Sequence, residues 1–425
     1  MTSRTGLLGR LVVGSLWSRR LAVLFVVVAV AVSTLLYLSV ERLRTGAWQS
    51  FSSTISGTDL IVGARSGGVQ LMLYSVFRIG NATNNITWES VKDVAALPDV
   101  EWTVPLSLGD SHRSYRVVGT SADYFERYRY GRDRALDFAQ GKAFADLFDV
   151  VIGAEVADAL GYGVGDRVIV AHGLGSADLV QHDDLPFTVS GVLARTGTPV
   201  DRSLHVSLEA ITAIHVDWQS GARARQTTPA DELRRRAEAG ELAPEAITAL
   251  LVGTTSRLAV FRTARAINDY PEEPLLAVLP GVALQELWSV IGTAERALAA
   301  VSLMVVLTAV VGLAATILAT LEQRRREIAV LRSLGARPST IAGLLVAESG
   351  LIALTGVVLG LVAITLLAPL VSPWLQSNYG LDLPVALSAS EAFVLALIVL
   401  AALLVALVPA WRAFRIGLNE GLGGG

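Results

Sequence analysis

The sequence predicts a membrane α-helical protein with four transmembrane helices and, between the first and second of them, one extracytoplasmic mixed α/β domain. Three observations predict this class. Hydrophobic residues make up 52% of the 425 residues and charged residues only 17%, against about 25% charged in an average soluble domain. The apolar excess is gathered into four long runs, while the stretch between the first two reads like an ordinary soluble domain. The arginines sit on one side of those runs, which gives them all one consistent orientation.

The first run, Leu21 to Val40, has no charge in twenty residues; at about 1.5 Å rise per residue such a helix crosses a hydrocarbon core of about 30 Å. It is longer than the apolar core of a cleaved signal peptide, about 7–15 residues. Its one small-x-small triplet, Ala29-Val30-Ala31, lies inside the run, so an uncleaved anchor is expected. Ahead of it, residues 1–20 carry Leu7, Leu8, Leu11, Val12, Leu16 and Trp17 among arginines. That mixture suits a helix lying in the cytoplasmic interface, with an extended apolar lead-in as the alternative. The other spans are expected at 298–321, 341–371 and 391–411.

Orientation follows from basic residues. Arg4, Arg10, Arg19 and Arg20 precede the first span, Arg324, Arg325, Arg326, Arg332 and Arg337 lie between the second and third, and Arg412 and Arg415 follow the fourth. The connection from 372 to 390 has none. By the positive-inside rule both termini, including a tail at 412–425, and the 322–340 loop are cytoplasmic, and 41–290 is outside.

Within 41–290 the pattern alternates. Asp59 to Gly63, Tyr115 to Gly119, Arg167 to Val170 and Phe187 to Val192 read as strands, and Glu89 to Leu97 as a short helix ended by Pro98. Thr228-Pro229 opens a charged helix with proline at its first position. From about residue 282 the chain turns helical with no strong breaker before the second span, Gly292 being its weak point. Either the span extends outward as a stalk of about 55 Å, 35–40 residues long, or a linker breaks at Gly292.

In the 322–340 loop the triplet Arg324-Arg325-Arg326 stops the second span, because three arginines at bilayer centre would cost on the order of 8–10 kcal/mol. Glu327 to Leu334 is a short amphipathic helix, Gly335 ends it, and Pro338 starts the next helix. A short helix lying on the cytoplasmic face is a natural docking lever for a partner. On the third span, Glu348 is costly in lipid and faces protein or the interface, and Gly356-x-x-x-Gly360 permits close helix approach or plain packing against lipid.

The stretch Leu321–Gly360 resembles the FtsX-like permease signature of the MacB/LolC/FtsX group of ABC transporters. The matching positions are Arg324–Arg326, Glu327, Arg332, Leu334, Gly335, Ala336, Glu348, Gly356 and Gly360. Asp59 to Gly63, Val151 to Ala157, Gly165 to Val168 and Phe187 to Leu193 look like the MacB-type periplasmic core domain, and Pro409 to Ala413 is also typical. The resemblance covers the chain except roughly 218–280.

It implies a permease of the mechanotransmission type in the inner membrane, its large domain periplasmic. Arg324, Arg325, Arg326, Glu327, Arg332, Leu334 and Gly335 would couple to a separate ABC ATPase, which holds ATP and Mg²⁺; no cofactor is expected on this chain. Two copies, or one copy and a related permease, would pair among membrane lipids, with a periplasmic adaptor or substrate protein as a further partner. The implied task is export or extrusion of a lipoprotein, lipid, peptide or similar substrate. The alternative is a signalling permease that switches an extracytoplasmic enzyme such as a cell-wall hydrolase, although such members usually carry a smaller outer domain.

Several classes are excluded by composition. There is no cysteine, hence no disulfide or thiolate chemistry. The net charge of −3 gives no reason to expect nucleic acid. The only lysines, Lys92 and Lys142, sit in no phosphate-binding loop, and neither H-E-x-x-H nor G-x-S-x-G occurs, so the chain is expected to be non-catalytic. Gly161 to Gly165 reads as a helix cap and turn, since it follows a helix and precedes a strand, the reverse of a dinucleotide site. His112, His172, His182, His205 and His215 have no ligand spacing and are expected on the surface, with a zinc site as the alternative reading.

Overall fold

The computed structural model describes residues 14–415 apart from 15, 18, 53, 132, 173–182, 220–221, 224–226, 324–329, 331, 334, 380, 382 and 385. The chain forms two compact units. One holds residues 1–47, 292–375 and 382–425; the other holds Trp48–Ile291 with Gln376–Leu381.

The second unit is built on a mixed sheet of eleven strands among the described residues. Its main path uses nine: β1 (Leu60–Ala64), β2 (Val100–His112), β3 (Tyr115–Thr120), β4 (Phe138–Gly141), β5 (Asp149–Ile152), β6 (Phe187–Leu193), β7 (Ser203–Ser207), β8 (Ala249–Thr254) and β9 (Leu275–Val278). Their spatial order is β9-β1-β8-β2-β3-β7-β5-β6-β4. The pairs β3/β7 and β5/β6 are parallel, and the rest of the path is antiparallel. The first and last strands are neighbours, with Val62 opposite Ala277.

β1 and β8 are buried at every position because both faces of the sheet are covered there. Successive side chains point to opposite faces, and the core divides accordingly. Ile61, Val118, Val151 and Leu251 join one cluster that runs the length of the sheet with Leu71, Val104, Tyr124 and Leu193. Their neighbours go to the other face. Leu60, Val62, Leu250 and Val252 pack there with Val260 and Ile267 of the helix Ala259–Asn268. Val117, Val150, Ile152, Leu204 and Val206 pack with Ile214 of the helix Leu208–His215.

Most expected elements appear within a residue or two: a strand at Leu60–Ala64, a helix at Trp88–Ala95 capped by the Thr87 hydroxyl, and Gly161 closing the helix Ala154–Leu160 at φ +70. Three readings need correction. The strand expected over Arg167–Val170 stops at Val168, where it pairs with β6; the chain then crosses to pair Ala171 and His172 with β2. The charged helix is Ala230–Glu238, and Pro229 is its cap residue, in extended conformation. The third concerns the histidines. His205 is 0% exposed and His112 is also buried. In Ser203-Leu204-His205-Val206-Ser207 the alternation puts His205 on the face opposite Leu204 and Val206, and that face is covered too. His112 is held by the Ile169 carbonyl at 2.6 Å and the Tyr162 hydroxyl at 3.2 Å. The side chain of His172, and His182, lie outside the described residues.

The long helices are α1 (Arg20–Ser52), α2 (Pro280–Gln323), α3 (Pro338–Tyr379) and α4 (Ala389–Arg415). Among the described residues α1, α3 and α4 are long and apolar enough to cross a membrane, and α2 contains a shorter apolar helix, Arg296–Gly312. The helices outrun the expected spans: α1 continues past Val40 to Ser52, and α3 runs through Pro369 and Pro373 to Tyr379. Of the interfacial helix expected over 1–20, residues 1–13, 15 and 18 lie outside the described residues, and Gly14, Leu16 and Trp17 are helical.

Candidate functional site

On α3, a buried stripe recurs at helical spacing: Ile341, Leu345, Glu348, Ile352, Gly356, Gly360, Ile364 and Ala368. The opposite face, including Leu351, Leu354, Val358, Val362 and Leu366, is exposed. The stripe packs on Val26, Val27, Val30 and Leu38 of α1 and on Leu395, Ile398 and Ala402 of α4.

Glycine is required where α1 and α3 meet. A Cβ at Gly356 would stand 2.6 Å from the Val30 Cβ, and one at Gly360 would stand 2.7 Å from the Ala31 carbonyl oxygen. Close approach of this kind is the packing mode of membrane helices, where small residues let backbones come together. Glu348, on the same stripe, is 4% exposed. Beside it the Ser349 hydroxyl donates to the Leu345 carbonyl within its own helix at 2.8 Å.

Of the coupling residues expected in the cytoplasmic loop, Arg324, Arg325, Arg326, Glu327 and Leu334 lie outside the described residues. Val330, Arg332 and Ser333 are helical and Arg332 is half-buried. Gly335 turns the chain at φ +87, where a side chain is strained, and its N–H donates to the Arg332 carbonyl at 2.9 Å. Pro338 then occupies the first position of α3.

A buried ion pair was not foreseen. Arg42 Nε donates to Glu391 Oε1 at 3.2 Å, with the side chains 2% and 4% exposed. Glu391 Oε2 accepts the Ser388 N–H at 2.8 Å, and the Ser388 hydroxyl accepts the Glu391 N–H at 3.1 Å. This is a reciprocal cap, and its signature is legible in Ser388-Ala389-Ser390-Glu391. What the sequence does not reveal is that the capping carboxylate also meets Arg42, 349 residues away.

In the second unit an aromatic cluster joins the end of α1 to the start of α2. Trp48 and Trp288 have ring centroids 4.7 Å apart, Phe51 and Trp288 5.6 Å, and Phe51 stacks on Phe77 at 4.8 Å. Ala283 and Leu284, one turn earlier on α2, belong to the core cluster of the sheet. The first turns of α2 are thus part of the domain core. Among the described residues no three His, Cys, Asp or Glu side chains gather where a metal could be held.

Comparison with known proteins bears on this arrangement directly. Residues 21–252 match the MacB-like periplasmic core domain, and residues 299–418 match the FtsX-like permease C-terminal region. The first match alone spans more than half of the chain. Among solved structures, the chain is similar to the periplasmic region of MacB from Actinobacillus actinomycetemcomitans, at 12% identity and a TM-score of 0.32, covering 55% of this chain and 94% of that one. It is also similar to the extracellular domain of the noncanonic ABC-type transporter YknZ from Gram-positive bacteria, at 16% identity and a TM-score of 0.29, covering 52% and 99%. No curated protein sequence matches the chain. With a MacB-type match that takes in the first apolar helix and the α/β domain, and an FtsX-like match over the later apolar helices, the chain belongs to the FtsX/MacB-type permeases of ABC transporters.

Proposed function

We propose that this permease converts ATP hydrolysis by a separate ABC ATPase into movement of its outer domain, and thereby exports or extrudes a lipoprotein, lipid, peptide or similar substrate. The observation that carries the reading is α2. It is a single helix of 44 residues, about 66 Å long at 1.5 Å per residue. Its first turns lie in the domain core through Ala283 and Leu284, and its last residues directly precede the Arg324–Arg326 triplet. In this reading the apolar part of α2 is the fourth membrane span. A push on the cytoplasmic loop would then act on one continuous helix, with the Trp48–Phe51–Trp288 cluster linking α1 to its first turns.

The ATPase would dock on the loop helix through Glu327 and Arg332, with the Arg324–Arg326 triplet and Leu334 supporting it and Gly335 setting its angle. ATP and Mg²⁺ belong to that partner. The orientation, with both termini and the loop cytoplasmic and the large domain outside, rests on the arginine distribution. The family pattern supports two permease copies, identical or related, per assembly.

The test is a pull-down of the full-length protein from detergent-solubilised membranes of its host. An ABC ATPase is expected in the complex, and Glu327→Ala or Arg332→Ala should release it while the permease still unfolds at the wild-type temperature. Recovery of the intact permease with no nucleotide-hydrolysing partner would overturn the proposal.

A further inference from the structure

Among the described residues of the outer domain, one buried and one half-buried arginine stand without a counter-charge. Arg116, on β3, is 6% exposed. Arg78 is half-buried in the turn after the helix Gly68–Ser75, at φ +60, a conformation that side-chain-bearing residues rarely adopt. The two meet at one loop. Arg116 Nη2 donates to the Asn81 side-chain carbonyl at 2.7 Å and to the Gly80 carbonyl, so it grips the segment that carries Arg78. Arg78 donates to the Ser75 carbonyl and to the Tyr124 hydroxyl at 3.5 Å.

Both guanidinium groups keep a buried Nε–H with no acceptor among the described residues. Neither forms an ion pair among the described residues: their partners there are two backbone carbonyls, one side-chain amide and one phenol. Burial holds the Arg116 guanidinium below its usual range, and the like charge of Arg78 adds to the effect. A desolvated cation beside a second cation is costly unless an anion completes the group. The left-handed turn at Arg78 adds local strain, of the kind that persists where surrounding structure enforces it.

We propose that Arg78 and Arg116, together with the Gly80–Asn81 loop, form a binding site for a phosphoryl group on the outer domain. Two fixed guanidinium charges match a phosphoryl oxyanion better than a lone carboxylate, because each fork can donate to separate oxygens. Ile79, next to Arg78 in the chain and one residue before Gly80, is 60% exposed. It offers an apolar contact next to the charged one, so the phosphoryl group can come from a phospholipid headgroup or from free phosphate. The inference is independent of how the permease is driven.

The test uses purified full-length protein in a non-ionic detergent. Its thermal unfolding is followed during titration with inorganic phosphate, and separately with a short-chain phosphatidylglycerol, each against chloride at matched ionic strength. A saturable rise in midpoint with a phosphate-bearing probe is expected. Arg78→Gly keeps the left-handed turn and removes one guanidinium, so it should weaken the apparent affinity about tenfold or more. Arg116→Lys keeps the charge but loses the fork, and should weaken binding while leaving the ligand-free midpoint within reach of wild type. Saturation at lower lipid than phosphate concentration assigns the headgroup as the source; the reverse order assigns the free ion. The proposal is overturned if neither probe exceeds chloride, or if Arg78→Gly responds as wild type does.

Discussion

Replacing Glu391 by glutamine strips the counter-ion from Arg42. The carboxylate accepts from Arg42 with one oxygen and from the Ser388 N–H with the other. Glutamine still offers a carbonyl oxygen to the cap, but it sets an NH2 donor against Arg42, so the negative charge and one acceptor are lost together. Arg42 is almost wholly buried, and its Nη1 already lacks an acceptor among the described residues. A buried guanidinium deprived of its counter-ion costs about 3–5 kcal/mol. Removing both charges, as Arg42→Met with Glu391→Gln, leaves no stranded ion and should return to within about 1 kcal/mol of wild type, since apolar replacements of buried pairs are often near neutral. Arg42→Met alone should cost less than Glu391→Gln, because the remaining carboxylate keeps its cap partners and the favourable end of the α4 dipole. The measurement is denaturant unfolding of the full-length protein in mixed micelles, read by tryptophan fluorescence across all four members of the cycle. A coupling energy above about 2 kcal/mol is expected for contacting residues of this kind. Additive losses, or a Glu391→Gln protein as stable as wild type, would mean that water reaches the pair and that the burial argument fails.

Gly360→Ala puts a methyl group 2.7 Å from the Ala31 carbonyl oxygen, and overpacking of this type costs about 1–3 kcal/mol. Gly343→Ala, with nothing within 4 Å of the added carbon, should leave the unfolding midpoint unchanged and serves as the control. Gly335→Ala must hold a side chain at φ +87, a cost of about 1–2 kcal/mol; the expected result is weaker stimulation of the partner ATPase, measured in reconstituted membranes. His205 has its pKa lowered to about 3, first by burial and then by the nearby Arg78 charge, the Val151 backbone opposing least. The unfolded chain protonates this histidine near 6.5 while the folded one does not, so its full contribution is present above pH 6.5 and is lost as pH falls toward 3, by up to about 1.4 kcal/mol per unit. His205→Phe should flatten the decline in midpoint between neutral pH and about pH 5, relative to wild type. His112, also lowered by burial, is present in both proteins, so the difference between them reports His205 alone.

The apolar helices were legible because their signal is local: twenty uncharged residues announce a span wherever they stand. Helix ends next to the outer domain were harder to read, since α1 carries Arg42 and Arg44 beyond Val40 and still continues as helix to Ser52. Hydrophobic periodicity measures how long a segment is apolar, and a helix can outlast its apolar part. Of the strands expected in the domain, three lay within a residue of their place, but the one at Arg167 stops at Val168; His205, with no ligand spacing, was expected on the surface, and only the tertiary cover on both faces of its strand buries it. The capping sequence at Ser388 was in plain view; its second partner was not, because an ion pair between residues at opposite ends of the chain leaves no spacing to read. The same is true of Arg78 and Arg116, brought together by the Gly80–Asn81 loop.

Because β1 and β9 are hydrogen-bonded neighbours, the chain enters the sheet and leaves it side by side. A folded insert with adjoining ends behaves like a cassette. Its body can grow, shrink or be exchanged for another while its two ends stay adjacent. Along the sequence this separates two tasks: the flanking helices can stay constant while the inserted body is free to vary.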